Sequence, residues 1–310
     1  MLRRISATGC IVLFVMTVLL TALPGCGREA VSGGEEGNKA VIKVGSKDFT
    51  ESLILGELYG LALEDAGYRV ERNLNLGSAI VHNSLISGDI DFYPEYTGTG
   101  LLTVLKESPG TDSREVYHEV AGKYKDKFNL IWLEPSAASD SQGLVITRKA
   151  AEKYQIRTLS DLQKNAGHIR FASQGQFDER ADGLPALVQR YGDFQFKEHK
   201  LYDNGIKYEV LRNDKADLAV AYTTEGELSQ DEFLVLEDDK HAWPPYNIAP
   251  VIRQEVLERS PEITQILNRI TGTLDSKTVM NLNREVDVKK REYSEVAREF
   301  FDKIKHGLSK

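Results

Sequence analysis

The sequence predicts an α/β protein built as two lobes with a ligand cleft between them. Three observations predict it. Short apolar strands alternate with helical stretches along most of the chain, the pattern of a mostly parallel sheet with helices on its faces. The length, 310 residues, suits two domains of roughly 100–150 residues each. Two non-periodic stretches, 134–143 and 242–246, break the alternation where the chain would cross between lobes and return.

Taken in order, residues 41–44 form a short buried strand. Thr50 is placed to cap the next helix, with Glu51 in its first turn. Ile54, Leu58 and Leu61 make that helix's apolar stripe, and Gly67 ends it. Val70, Arg72 and Leu74 alternate with their neighbours as a second strand. Ser78 caps a helix ending at Gly88, and 90–93 is a third strand. Pro94 should stop that strand, because it cannot donate to a ladder. Thr97, Gly98, Thr99 and Gly100 then open a helix over 101–105. Outward N–H groups at a helix start favour an anion, and the faces of Tyr93 and Tyr96 favour a cation. The turn is half a site for a small zwitterion, or plain strand-turn-helix architecture. Ligands in such sheets sit beyond the C-terminal strand ends, where Lys47 and Tyr96 fall.

Asp112 or Ser113 opens a helix that ends near Phe128, and 130–133 is a strand. Residues 144–147 are strand-like, which places the lobe boundary between 143 and 144. In the second lobe, 158–164 is a helix, 169–172 a strand, 174–182 a loop and 184–191 a helix closed by Gly192. Residues 218–221 and 233–236 are strands, with Tyr222 just past the first. Helices over 261–271, 277–286 and 292–304 should pack on the first lobe. The expected organisation is 41–143 for lobe 1, 144–243 for lobe 2 and 244–310 returning to lobe 1.

The N-terminus carries targeting information. Arg3 and Arg4 precede an apolar run over 11–20, which reads as a secretion signal and is short of the ~20 residues a membrane span needs. It ends in Leu23-Pro24-Gly25-Cys26, which resembles a bacterial lipobox with Cys26 as the lipidated residue. A plain signal peptide with an incidental cysteine is the alternative. The other cysteine, Cys10, would leave with residues 1–25, so a lipidated mature fold has no free thiol or disulfide. Residues 26–40 then form a flexible, Gly-, Glu- and Ser-rich tether. Composition is that of a globular protein, 41% hydrophobic and 28% charged. The net charge of −8 disfavours nucleic acid and anionic membrane as partners of the folded surface.

Five motifs run in order along the chain. They are Val44-Gly45-Ser46-Lys47-Asp48-Phe49-Thr50-Glu51, Tyr93-Pro94-Glu95-Tyr96-Thr97-Gly98-Thr99, Phe177-Asp178-Glu179-Arg180-Ala181-Asp182-Gly183-Leu184-Pro185, Ala221-Tyr222-Thr223-Thr224-Glu225-Gly226 and Pro244-Pro245-Tyr246-Asn247-Ile248-Ala249-Pro250. Together they resemble the substrate-binding proteins of osmoprotectant ABC transporters, from about residue 41 to the C-terminus. The resemblance implies the type II periplasmic-binding-protein-like fold and a quaternary amine as ligand, such as glycine betaine, choline or carnitine. It also implies an ABC permease as partner, no cofactor, and a monomer outside the cytoplasm whose membrane contact is its lipid. It makes Tyr96, Tyr222 and Tyr246 the aromatic faces for the ammonium and Asp140 the acid beside it. Lys47, Thr99 and Arg180 would meet a betaine's carboxylate, Arg180 with two parallel hydrogen bonds. Gln142 stands where the family commonly has a fourth ring, and Gln176 where an acid is common. Either simple betaines bind more weakly, or the ligand carries an extra polar group.

Other classes have less support. The sequence holds no Gly-x-Ser-x-Gly elbow and no Gly-Lys-Ser/Thr phosphate loop. Its six histidines, at 82, 118, 168, 199, 241 and 306, lack metal-ligand spacing. Asp89 and Asp91 read as turn and strand-edge residues. The protein is therefore not expected to be an enzyme. A binding protein for a different solute, an amino acid or a larger betaine such as ergothioneine, is the nearer rival.

Overall fold

The computed structural model describes residues 39–308 other than Pro109. The predicted signal peptide, Cys26 and all but the end of the tether lie outside the described residues. The first part of the chain runs β1 (Val41–Lys47), α1 (Thr50–Asp65), β2 (Arg69–Leu76), α2 (Val81–Ser87), β3 (Phe92–Tyr96), α3 (Thr97–Thr99), α4 (Ser113–Phe128) and β4 (Leu130–Trp132). The middle part runs β5 (Gln142–Thr147), α5 (Arg148–Tyr154), α6 (Leu159–Asn165), β6 (Arg170–Ser173), α7 (Gly175–Glu179), α8 (Leu184–Tyr191), β7 (Glu198–Leu201), α9 (Lys207–Arg212), β8 (Leu218–Tyr222) and β9 (Phe233–Val235). The last part runs β10 (Ile248–Arg253), α10 (Gln254–Arg259), α11 (Ile263–Thr271), α12 (Ser276–Asp287) and α13 (Tyr293–Leu308).

The strands form two five-stranded sheets, ordered β2-β1-β3-β10-β4 and β7-β6-β8-β5-β9. In the first, β1 is parallel to β2 and β3, while β10 runs against β3 and β4. In the second, β6 is parallel to β7 and β8, while β5 runs against β8 and β9. The sheets are thus more mixed than alternation alone suggests. The antiparallel members, β5 and β10, are the strands the chain enters on crossing from one sheet to the other. Gln142 and Gly143 already belong to β5, so the second sheet begins two residues before the expected boundary. A glutamine and a glycine carry no strand signal.

Pro94 does not end β3. It lies inside the strand, opposite Pro250 of β10. The Thr97 N–H donates to the Asn247 carbonyl at 3.0 Å, which makes 97/247 a hydrogen-bonded pair and puts 94/250 at a non-bonded one. Two facing prolines forfeit no bond there. Extending β3 by three residues carries Tyr96 to its end. Two expected caps also differ. Thr50 begins α1, and its hydroxyl donates to Asp287 of α12 at 2.6 Å. Ser78 lies ahead of Val81, where α2 starts. Asp112 does cap α4, accepting from the Arg114 and Glu115 N–H groups at 3.0 Å, and Gly88, at φ +83°, closes α2.

Helix α1 is the spine of the first lobe. Its residues from Glu51 to Leu63 are almost all buried, because the sheet covers one side and α11, α12 and α13 cover others. Burying side chains such as Leu55, Leu58 and Leu63 is worth ~1.5–3 kcal/mol each. Helix α12 touches the other lobe as well: a Cβ on Gly226 would lie 2.5 Å from the Arg284 nitrogen. This helix therefore closes against the turn that follows β8, next to the site.

Candidate functional site

The site is built where strand ends and crossovers meet. Tyr96 ends β3 and Tyr222 ends β8; Asp140 lies in the first crossover and Tyr246 in the return. The Asp140 N–H donates to the Tyr246 carbonyl at 3.1 Å, and the Tyr246 N–H donates to the Ser139 hydroxyl at 3.1 Å. The two crossovers are thus bonded side by side. The Thr97–Thr99 turn presses on the Tyr246 ring, where a Cβ at Gly98 would lie 2.6 Å from a ring carbon. Only a glycine lets β3's exit and the ring come this close.

Two buried carboxylates occupy the centre. Glu51, in the first turn of α1, accepts hydrogen bonds from the Tyr96 hydroxyl (2.7 Å), the Thr224 hydroxyl and the Asn283 amide (3.0 Å). These donors come from β3, from the turn after β8 and from α12, so Glu51 ties both lobes together. Asp140 is 7% exposed and accepts the Thr224 N–H at 3.2 Å. Burial raises the pKa of both acids. For Glu51 the hydrogen bonds work against that rise. For Asp140, pushed well above the usual carboxylate range, the Glu51 charge adds to it. Among the described residues neither acid is ion-paired to a basic side chain. Tyr96 and Tyr222 both lie in the field of Asp140, and burial pushes the Tyr222 hydroxyl up to about 12.

Arg180 lies at the other end of the cluster. Its Nε and Nη2 donate to the two Asp182 oxygens at 2.7 and 2.6 Å, and the Tyr246 hydroxyl donates to Asp182 at 2.8 Å. The two-bond grip expected for a ligand is therefore made inside the chain. Arg180 and Asp182 also line a cavity of about 830 Å³, together with Leu102, Thr103 and Lys106 of the first lobe.

Lys47 already has a carboxylate partner within the chain. Its ammonium is buried in an ion pair with Glu95 and lies 4.9 Å from the Tyr96 ring centroid. Glu95 also accepts the Tyr93 hydroxyl at 2.7 Å and the Tyr96 N–H at 2.8 Å, so the pair fixes Tyr96 from behind. Thr99 is half-buried on the short α3. Gln142 is buried opposite Tyr222 across β5 and β8, and its Oε1 has no hydrogen-bond partner among the described residues. Gln176 is exposed on α7.

The structure adds residues that the motif matches did not assign: Glu51, Asp182, Thr224, Asn283, and the Lys207–Glu225 ion pair, whose buried ammonium lies 5.7 Å from the Tyr222 centroid. Four of them, Glu51, Asp182, Thr224 and Glu225, stand within the quoted motifs. Their polarity amid otherwise buried segments was the available signal. Asn283 and Lys207 lie in ordinary amphipathic helices and gave none. No group of three or more His, Cys, Asp or Glu that could hold a metal occurs among the described residues.

Two mixed sheets joined by paired crossovers, with an aromatic and acidic cluster at the joint, define a two-lobed solute-binding protein. The chain belongs to the family of substrate-binding domains of ABC-type glycine betaine transport systems, whose family model matches residues 40–303. It is 31% identical over 84% of its length to the ergothioneine transport permease/ergothioneine binding protein EgtU of Helicobacter pylori (strain G27), and spans 47% of that longer protein. It is 30% identical to the carnitine transport binding protein OpuCC of Listeria monocytogenes, covering 94% of this chain and 96% of that one. Among solved structures it resembles a glycine betaine/carnitine/choline ABC transporter protein with a TM-score of 0.77 and 30% identity, covering 86% of this chain and 99% of the other. The family is one of extracytoplasmic transporter binding proteins rather than enzymes. Among the described residues no helix is long and apolar enough to cross a membrane.

Proposed function

We propose that this chain binds a quaternary amine of the betaine class at the junction of its lobes and presents it to the permease of an ABC importer. The observation that carries the reading is the buried Glu51–Asp140 pair, set against tyrosines and ion-paired to no base among the described residues. Two neighbouring acids held out of water, whose pKa values burial raises, ionise more readily beside a cation, so the pair favours a cationic partner. A quaternary ammonium fits because it cannot lose its charge, and tyrosine faces attract it by roughly 0.5–2 kcal/mol per ring. Tyr96, Tyr222 and Tyr246 supply the faces. Lys47 holds Tyr96 in place through Glu95. A carboxylate on the ligand would lie toward Thr99 and the Nη1 edge of Arg180, which Asp182 orients. The ligands named for relatives, carnitine and ergothioneine, share a trimethylammonium head.

In this reading 41–141 and the return segment from 244 form one lobe and 142–243 the other, and ligand contacts from both stabilise the closed form. A lipid on Cys26 and the following tether hold the monomer on the outer face of the membrane. Titration with glycine betaine, carnitine, choline and ergothioneine should raise the melting temperature by mass action and compact the protein in solution scattering. Saturating levels of all four, with neither effect, would overturn the proposal.

A further inference from the structure

Gln142 breaks the rule that buried polar groups find partners. It opens β5 directly opposite Tyr222, so the two side chains stand as neighbours on one face of the sheet. The residue is 3% exposed, and its Oε1 is buried without a donor. Two other amides with buried oxygens differ. Asn247 and Asn283 also bury an unpartnered oxygen, but their nitrogens are each held by two acceptors. Asn247 donates to the Ser136 and Ala138 carbonyls (3.1 and 3.4 Å), and Asn283 donates to Glu51 and to the Thr224 carbonyl (3.0 and 2.8 Å). Those side chains are fixed by the protein. Gln142 makes no side-chain hydrogen bond within the described residues, although it adjoins a proposed ligand-binding ring.

We infer that Gln142 is a specificity-determining residue that reads a planar donor–acceptor edge on the ligand, an N–H beside a C=O or C=S. The preferred ligand is then a betaine carrying such an edge in addition to its quaternary ammonium. A primary amide presents one acceptor and two donors in a plane, and the complementary group pairs with both ends at once. Glycine betaine has no N–H or O–H and leaves the buried oxygen without a donor. Carnitine offers a hydroxyl but no planar edge. Sites that hold a buried hydrogen-bonding group discriminate strongly against ligands lacking its partner, because that group then stays unpaired. This inference rests on the proposed cation site and specifies the rest of the molecule that occupies it.

The test is calorimetry with two probes on wild type and Gln142→Met, a variant of similar volume without the amide. Ergothioneine carries an N–H beside a C=S, and glycine betaine carries neither. Ergothioneine should lose at least tenfold in affinity on Gln142→Met, while glycine betaine, which no longer leaves a buried amide unpaired, should lose none and gain only through that relief. Should the Met variant fail to fold, Gln142→Leu carries the same expectation. Unchanged ergothioneine affinity, or equal losses for both probes, would overturn the inference. The parent reading fails separately, and would show as no binding of either probe to the folded wild type.

Discussion

Replacing Asp140 by asparagine should move stability and affinity in opposite directions. Asp140 is buried with a single N–H donor from Thr224 at 3.2 Å and shares its surroundings with Glu51. Its carboxyl has a raised pKa in the folded protein, chiefly from burial and then from the Glu51 charge. A raised acid favours folding fully only below its unfolded pKa, and that contribution is lost as pH rises through the folded value. The ligand-free wild type should therefore lose stability from about pH 4 upward, by at most ~1.4 kcal/mol per pH unit from this group. Asp140→Asn removes that slope and should stabilise the empty protein near pH 7 by ~1–2 kcal/mol, or about 2–8 °C in melting temperature. The same change removes a charge facing the ligand. An ammonium about 5 Å from a carboxylate at an effective dielectric of about 20 gains ~3 kcal/mol at most. A loss of ~1.5–3 kcal/mol, or about tenfold to 150-fold in Kd, is expected. In the wild type the cation should bind more tightly as pH rises, releasing a proton, which calorimetry in buffers of different ionisation enthalpy detects. A variant that melts lower yet binds at wild-type affinity, together with a flat pH profile for the wild type, would refute this reasoning.

Other changes test neighbouring parts of the site. Arg180→Ala should weaken glycine betaine by ~1.5 kcal/mol or more beyond any loss for choline, which lacks the carboxylate and feels only the disturbed Asp182–Tyr246 contact; equal losses in titration would remove Arg180 from that role. Gly98→Ala should force the Tyr246 ring from its seat and cost ~1–3 kcal/mol in stability or binding, so a variant with unaltered melting and affinity would contradict the packing. Gln142→Tyr should restore a ring and tighten glycine betaine by ~0.5–2 kcal/mol while weakening ergothioneine; a gain for both would show that the amide serves no ligand group.

Much of the fold was legible because its signals are local. Asp112, Gly88 and Gly192 punctuate helices as their side chains or conformational freedom require, and the two crossovers show as breaks in periodicity. The misses have non-local causes. Pro94 is tolerated inside β3 because the register with β10, a strand about 150 positions away, puts it at a non-hydrogen-bonded pair. Strand β7, largely exposed at a sheet edge, has no apolar alternation, and β10, buried up to Arg253, has no polar face. In the site, residue types were readable from the motifs but their pairings were not. Whether Arg180 faces a ligand or Asp182, and whether Lys47 faces a ligand's carboxylate or that of Glu95, depends on side-chain contacts that no spacing reveals. Glu51 reads as an ordinary first-turn acid until the turn after β8 and α12 are folded against it.

The central claim is that the site holds a permanent positive charge. The most direct measurement compares glycine betaine with 3,3-dimethylbutanoate, the same shape with carbon in place of the ammonium nitrogen, in one calorimetric titration series. The account predicts that the neutral-headed analogue loses at least ~100-fold in affinity, since cation–π attraction and the Glu51–Asp140 charge both vanish for it. Equal affinity for the two would mean that the tyrosines and the buried acids are packing alone, and would contradict the account.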